Sequence, residues 1–197
     1  AHELMNVGAV PDVSVIEGIK QKVKAIIVTH AHLDHCGAIP YLSNKFDASI
    51  ICTPYTAEVI KAILRDEEIR INSKIIVLNA GSSYKISKDI KVEFVNMTHS
   101  TPQTVMAVVH TKSGAVLYAN DFKFDSSPVI GRKPDFKRMK ELGKEGVLAT
   151  IVDSTYSSSE SKTPSESVAK QMLKDVLLGV DSVGKAVIVT TFASHLA

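Results

Sequence analysis

Apolar positions fall along this chain in short blocks, and the spacing inside each block separates strand from helix. Ala25, Ile26, Ile27 and Val28 are consecutive, so Lys24 to Thr29 reads as a buried strand. Gly37 to Phe46 predicts a helix and Ser49 to Thr53 a second short strand. Pro54 then suits the first position of a helix capped by Thr53, with Val59, Ile60, Ile63 and Leu64 on one face and charged Arg65 to Glu68 in water. From Lys74 onward the period drops to two. Lys74–Leu78, Ser83–Ile86, Ile90–Asn96, Val105–Thr111 and Ala115–Asn120 are strand candidates, the last two joined as a hairpin through Lys112-Ser113-Gly114. A short helix over Asp135 to Leu142, a strand at Leu148–Val152, a helix from Thr163 to Leu178 and a strand at Lys185–Thr191 complete the pattern. Thr163 is the expected cap of that last helix, with Pro164 at its first position and Glu166 three residues after the cap. Before Lys24 there is only a Pro11-Asp12 turn signal and a helical pattern from Val15. Strands gathered in the middle with helices on both sides predict a layered α/β sandwich in preference to an alternating parallel sheet.

Composition changes this picture little. The 197 residues are 45% hydrophobic, enough for one sizeable core, and a net charge of +2 neither demands nor excludes a polyanionic partner. Cys36 and Cys52 are too few for a disulfide framework and lie in or beside apolar stretches. They read as buried reduced thiols and point to the cytoplasm. No apolar run is long enough to span a bilayer, and nothing at the start resembles a signal peptide. The chain opens on Ala1-His2 and stops at Ala197 just after a strand-like run, so it reads as a piece of a longer protein.

The chemistry gathers where predicted strands end. His30, His32, Asp34 and His35 follow the first strand, His99 the one ending near Asn96, and Asp121 the one ending at Asn120. Loops held by a rigid sheet are where catalytic groups collect. A lone histidine is more often a packing or surface residue, which is the reading for His2, His110 and His195. Asp34 alone could be a turn residue and Asp121 alone a helix cap. Three histidines and an aspartate in the order His-x-His-x-Asp-His rarely arise for packing reasons. Imidazole and carboxylate suit zinc or manganese. His30 and His32 alternate along an extended loop and project alike, Asp34 and His35 can address a second ion, and Asp121 has two oxygens to bridge them. Two such ions, roughly 3.5–4 Å apart, can share a hydroxide for an in-line displacement.

That cluster resembles the signature of the metallo-β-lactamase superfamily, with His99 and Asp121 matching its next two ligand motifs in order. The resemblance implies an αββα sandwich, partial here. It implies one ion held by His30, His32, His99 and Asp121, and another by Asp34, His35 and Asp121, with Asp34, His35 and Asp121 as the catalytic residues. Three further segments resemble the β-CASP nuclease group, and within it ribonuclease J of the archaeal type. They are His99-Ser100-Thr101-Pro102-Gln103-Thr104, Asp153-Ser154-Thr155-Tyr156, and the run from Ala186 through Thr191-Phe192-Ala193-Ser194 to His195. On that likeness residues 1–184 form the metallo-β-lactamase domain, lacking the family's first strands, and 185–197 begin a β-CASP domain. Ser100 and Ser194 are candidate RNA contacts. Asp153 is a candidate acceptor orienting a metal-bound histidine, with a turn or cap residue as its bland alternative.

The activity implied is metal-dependent hydrolysis of RNA, 5′→3′ from the end with internal cutting possible in relatives. The implied cofactors are two divalent ions, zinc or alternatively manganese. The implied partner is single-stranded RNA with a 5′-monophosphate, in a cytoplasmic homodimer without membrane attachment. Two rival readings stand beside it: a thioesterase or lactonase of the same superfamily, and a non-catalytic RNA-processing paralogue. The Thr-Phe-Ala-Ser tail argues against the first and the intact ligand set against the second.

Overall fold

The computed structural model describes residues 2–179, 181 and 183–191. Helix α1 (His2–Asn6) and a 3-10 segment (Ser14–Lys22) lead into β1 (Ala25–Val28), α2 (Leu33–Cys36) and α3 (Ile39–Leu42). Strand β2 (Ser49–Cys52), helix α4 (Pro54–Asp66) and strand β3 (Ile75–Val77) follow. The three strands form one parallel sheet in the order β1-β2-β3, with Ile26 opposite Ile50 and Ile51 opposite Ile76. Side chains alternate across a strand, so β2 buries both faces. Ile50 and Cys52 pack with Ala57 and Ile60 of α4, while Ile51 packs the other way, against Val92, Phe94, Val105 and Ala107.

Those last four residues belong to the second sheet. It consists of β4 (Ser83–Lys85), β5 (Lys91–Asn96), β6 (Val105–Thr111), β7 (Gly114–Ala119) and β8 (Ala149–Val152), in that spatial order. Its pairs are antiparallel except β7–β8, which is parallel. Helix α5 (Phe136–Glu145) covers the outer face, where Leu142 and Met139 pack against Val95, Met97, Met106 and Val108. The layers therefore run helix, sheet, sheet, helix: the αββα sandwich anticipated from the sequence. Each fully buried Ile or Phe in these clusters contributes roughly 1.5–3 kcal/mol. The β6–β7 hairpin closes at Lys112-Ser113, and Gly114 takes φ 133°, where a β-carbon would also press on Leu148 at 3.2 Å.

Two expectations are corrected. Helix α6 (Glu166–Leu178) is capped by Ser165, not Thr163, because Ser165 Oγ accepts from Ser167 N and donates to Asp125, which also takes the Glu166 amide. Residues 185–191 form no strand. An apolar β-branched run needs a neighbouring edge to satisfy its backbone, and none among the described residues pairs with it. No helix among the described residues is long and apolar enough to cross a membrane.

Candidate metal centre

Strand direction decides where the site can be. Because β5 and β7 each run antiparallel to β6, and β8 parallel to β7, the C-terminal ends of β5, β7 and β8 share one edge with the start of β6. The end of β1 joins that edge: Val105 N, at the start of β6, donates to Thr29 O at 3.1 Å. The loop after β1 therefore meets the loops after β5 and β7. Lys123 N donates to Thr98 O at 2.8 Å, tying the loop of His99 to the loop of Asp121.

All six expected ligands converge there. The ligand atoms of His30, His32, His99 and Asp121 lie within 4.8 Å of one another, as do those of Asp34, His35 and Asp121. Asp121 Oδ2 is the common point, 3.9 Å from His30 Nε2, 3.5 Å from His99 Nε2 and 3.5 Å from His35 Nε2. His35 Nε2 also faces Asp34 Oδ2 at 3.1 Å. His32 approaches through its other nitrogen, with Nδ1 3.0 Å from His99 Nε2. The imidazole of His30 crowds three others at ring separations of 4.1–5.0 Å.

Such crowding requires neutral rings or an ion between them. His30 is wholly buried, and its Nε2 has no hydrogen-bond partner among the described residues. Burial, reinforced by neighbouring His35, His99 and His32, pushes its pKa down to about 2. The ring thus keeps its lone pair, which is the form that binds a metal. An orphaned buried nitrogen aimed at a carboxylate that three imidazoles share fits divalent-metal binding. The outer nitrogens are held as well. Thr29 Oγ1 lies 3.1 Å from His30 Nδ1 and Ser100 Oγ 3.4 Å from His32 Nε2, and each hydroxyl can accept a ring N–H and so leave the inner nitrogen free for an ion; Asn120 Nδ2, 2.6 Å from His35 Nδ1, can only donate.

The remaining sequence candidates separate. Ser100 stands behind His32 at the distance just given. Asp153 follows β8 and accepts from Thr155 Oγ1 at 2.6 Å and Thr155 N at 2.9 Å, the contacts of a turn residue. Those two bonds hold its carboxyl below the usual range, with a smaller pull from His99. Ser194 and His195 lie outside the described residues. His110 is structural, its Nε2 2.8 Å from Glu93 Oε2 on the far part of the sheet. Sequence reasoning passed over Thr29, Asn120 and Gln103. Gln103 sits at φ 58° and accepts from Tyr55 N at 2.8 Å, anchoring the His99 loop on the first turn of α4. Asn120, directly before Asp121, was the one with a signal: a polar residue at a strand end beside a candidate ligand.

This fold and this ligand set define a class. The chain belongs to the metallo-beta-lactamase superfamily, whose family model matches residues 15–163. A solved protein of unknown function from Enterococcus faecalis V583 shares the fold, with a TM-score of 0.59 at 18% identity over 79% of this chain and 39% of that one. Within the class the sequence is similar to ribonuclease J. It is 45% identical to that of Methanocaldococcus jannaschii over 99% of this chain and 44% of the relative, and 44% identical to that of Pyrococcus abyssi over 99% and 43%. Ribonuclease J 1 of Streptococcus pyogenes matches at 34% over 95% of this chain and 32% of its own length. The chain spans less than half the length of these curated relatives.

Proposed function

We propose that the full-length protein is a metal-dependent ribonuclease that hydrolyses RNA phosphodiester bonds, acting 5′→3′ from a 5′-monophosphorylated single strand and able also to cut internally. The observation that carries the hydrolytic part is the sharing of Asp121 Oδ2 by two groups of ligands. The substrate class rests on the similarity to ribonuclease J. His30, His32, His99 and Asp121 would hold one divalent ion, and Asp34, His35 and Asp121 a second, with zinc fitting the histidine-rich set and manganese the alternative. The ions supply Lewis acidity and a water acidic enough to attack near neutral pH.

The chain's own residues orient this chemistry. Thr29 fixes the ring of His30 through its Nδ1, so that Nε2 faces Asp121. Ser100 Oγ can accept from His32 Nε2 and still donate its own proton to a phosphate oxygen. Asp153, beside the His99 loop, steadies that histidine by its charge. Asp34 and His35 complete the catalytic group. Residues 185–197 begin a β-CASP domain whose Ser194 contacts RNA, residues 1–184 being the metallo-β-lactamase domain. The whole protein works as a cytoplasmic homodimer.

The test uses full-length protein and 5′-monophosphorylated single-stranded RNA labelled at its 3′ end, with a thioester and a lactone alongside. Shortening from the 5′ end, abolished by a chelator and restored by zinc or manganese, is the expected result. Untouched RNA beside a consumed ester would overturn the substrate class and leave the site reading intact.

A further inference from the structure

Two lysines stand directly opposite each other across the mixed sheet. Lys85, the last residue of β4, pairs with Lys91, the first of β5, and Lys91 pairs in turn with His110 of β6. Residues paired in this way share a face of the sheet, and neighbouring strands are about 4.8 Å apart, so the like charges of Lys85 and Lys91 repel. The next residue on that face of β5 is Glu93. Its carboxylate accepts from Arg138 at 2.6 and 3.1 Å and lies 2.8 Å from His110 Nε2, so it is already engaged. A lysine on an edge strand such as β4 discourages pairing with another chain. That reason does not extend to Lys91, whose strand has a neighbour on each side.

The pair belongs to a larger concentration of charge. Lys85, Lys88, Lys91 and Lys112 are all exposed and line one open concavity of about 420 Å³, together with His110 and a single acid, Asp89. Asp89 Oδ1 is taken by Lys112 Nζ at 2.8 Å. Lys85, Lys88 and Lys91 have no ion pair among the described residues. Four lysines against one aspartate leave an excess of three positive charges here, more than the +2 of the whole chain. Crowded ammonium groups gain most from an anion that lies across several of them. Lysine is a flexible point charge without the fixed fork of arginine, which suits a backbone of repeated phosphates.

The concavity lies away from the metal centre. His110 is five residues along β6 from Val105, which starts at the metal edge, so the row stands roughly 17 Å from that edge. From this charge and this placement we infer that the Lys85–Lys88–Lys91–Lys112 surface is an exosite for the phosphate backbone of the RNA, holding a stretch of the strand remote from the bond being cut. The inference rests on the ribonuclease reading. The contact adds affinity and positions the strand without reading its bases.

The test is binding of a fluorescent single-stranded RNA decanucleotide to full-length protein held in chelator, so that no turnover is involved. Lys85→Gln with Lys91→Gln should weaken binding more than about tenfold at low salt and lower the slope of log Kd against log salt by about 1.4, the share of two phosphates on a single strand. The melting temperature should stay unchanged or rise, because the substitution removes a repulsion. Unchanged affinity and slope, with wild type binding normally, would overturn the exosite alone. Equal weakening in Lys61→Gln with Lys170→Gln, which takes the same charge from exposed positions on α4 and α6, would overturn it as well, since net charge and not this row would be responsible. Phosphatidylserine vesicles provide a further arm: loss of vesicle binding in the Lys85, Lys91 variant with RNA binding kept would overturn the nucleic-acid assignment in favour of a membrane surface. Wild type that cleaves RNA with zinc yet binds none in chelator would overturn the exosite, which needs no ion. Wild type that neither binds nor cleaves would overturn the ribonuclease reading and the exosite with it.

Discussion

Asp125, four residues beyond Asp121, is a buried charge whose loss can be put in numbers. Its Oδ1 accepts from Ser127 N at 2.9 Å and Ser165 Oγ at 2.7 Å; its Oδ2 accepts from Glu166 N at 2.7 Å, with Lys123 Nζ at 3.5 Å. Burial pushes this carboxyl up, but the Glu166 amide, the Ser165 hydroxyl, the Ser127 amide and Lys123 together outweigh it and hold the pKa at about 2, from an ordinary 3.8. A depressed carboxyl stabilises the fold above its unfolded pKa, and the contribution fades as pH falls through the folded value. Linkage over this interval gives about 2 kcal/mol at pH 7 and about 1 kcal/mol at pH 3. Asp125→Asn removes the charge and turns an NH2 towards a donor. Urea unfolding of the 197-residue chain, followed by far-ultraviolet circular dichroism, should show the variant less stable by about 2 kcal/mol at pH 7. That is a midpoint about 1 M lower for a typical slope. At pH 3 the gap should shrink by roughly half. A gap that stays constant between the two pH values, or one below about 0.5 kcal/mol at pH 7, would refute the reasoning, because the carboxylate would then not be the strut between this loop and α6.

Asp121→Ala should abolish binding of both ions and lower hydrolysis by the full-length protein by more than about 100-fold, since even outer-sphere partners cost 10–100-fold; metal analysis beside the RNA assay checks it. Thr29→Val should weaken the ion held by His30 by about 10–100-fold and leave the other in place, which a zinc titration with two resolved steps would show. Arg138 donates to Glu93 at 2.6 and 3.1 Å and to Glu145 at 2.7 Å, so Arg138→Ala should cost about 1–3 kcal/mol in urea unfolding by leaving the half-buried Glu93 with His110 alone. Cys36 and Cys52 are buried, and burial raises both thiols to about 11. Native protein in chelator should react with Ellman's reagent far more slowly than unfolded protein, and immediate reaction of both thiols at pH 7 would contradict the packing around α2 and β2.

The sequence exposes what is local. The eight strands of the two sheets and the helices α4 and α5 follow from periods visible within windows of a few residues. Four of the six candidate ligands are legible because they sit together between His30 and His35, and the other two because each follows a strand of clear alternation. What escapes is set by distant partners. The cap of α6 moves to Ser165 because Asp125, 41 residues before Glu166, supplies the acceptor. The run at 185–191 has strand composition and no strand, because composition does not provide an edge. Asn120 and Thr29 are ordinary strand-end residues until tertiary structure brings histidine nitrogens against them.

The candidate ligands are divided between the two layers of the sandwich. His30, His32, Asp34 and His35 hang from the parallel sheet, His99 and Asp121 from the mixed one, and at this rim the backbone hydrogen bond from Val105 N to Thr29 O crosses beside them. Any ion bound by both groups is therefore a rivet through a seam. Occupancy and cohesion become one equilibrium: an ion at a thousand times its dissociation constant adds about 4 kcal/mol to the closed arrangement. Parting the layers would release the ion in the same motion.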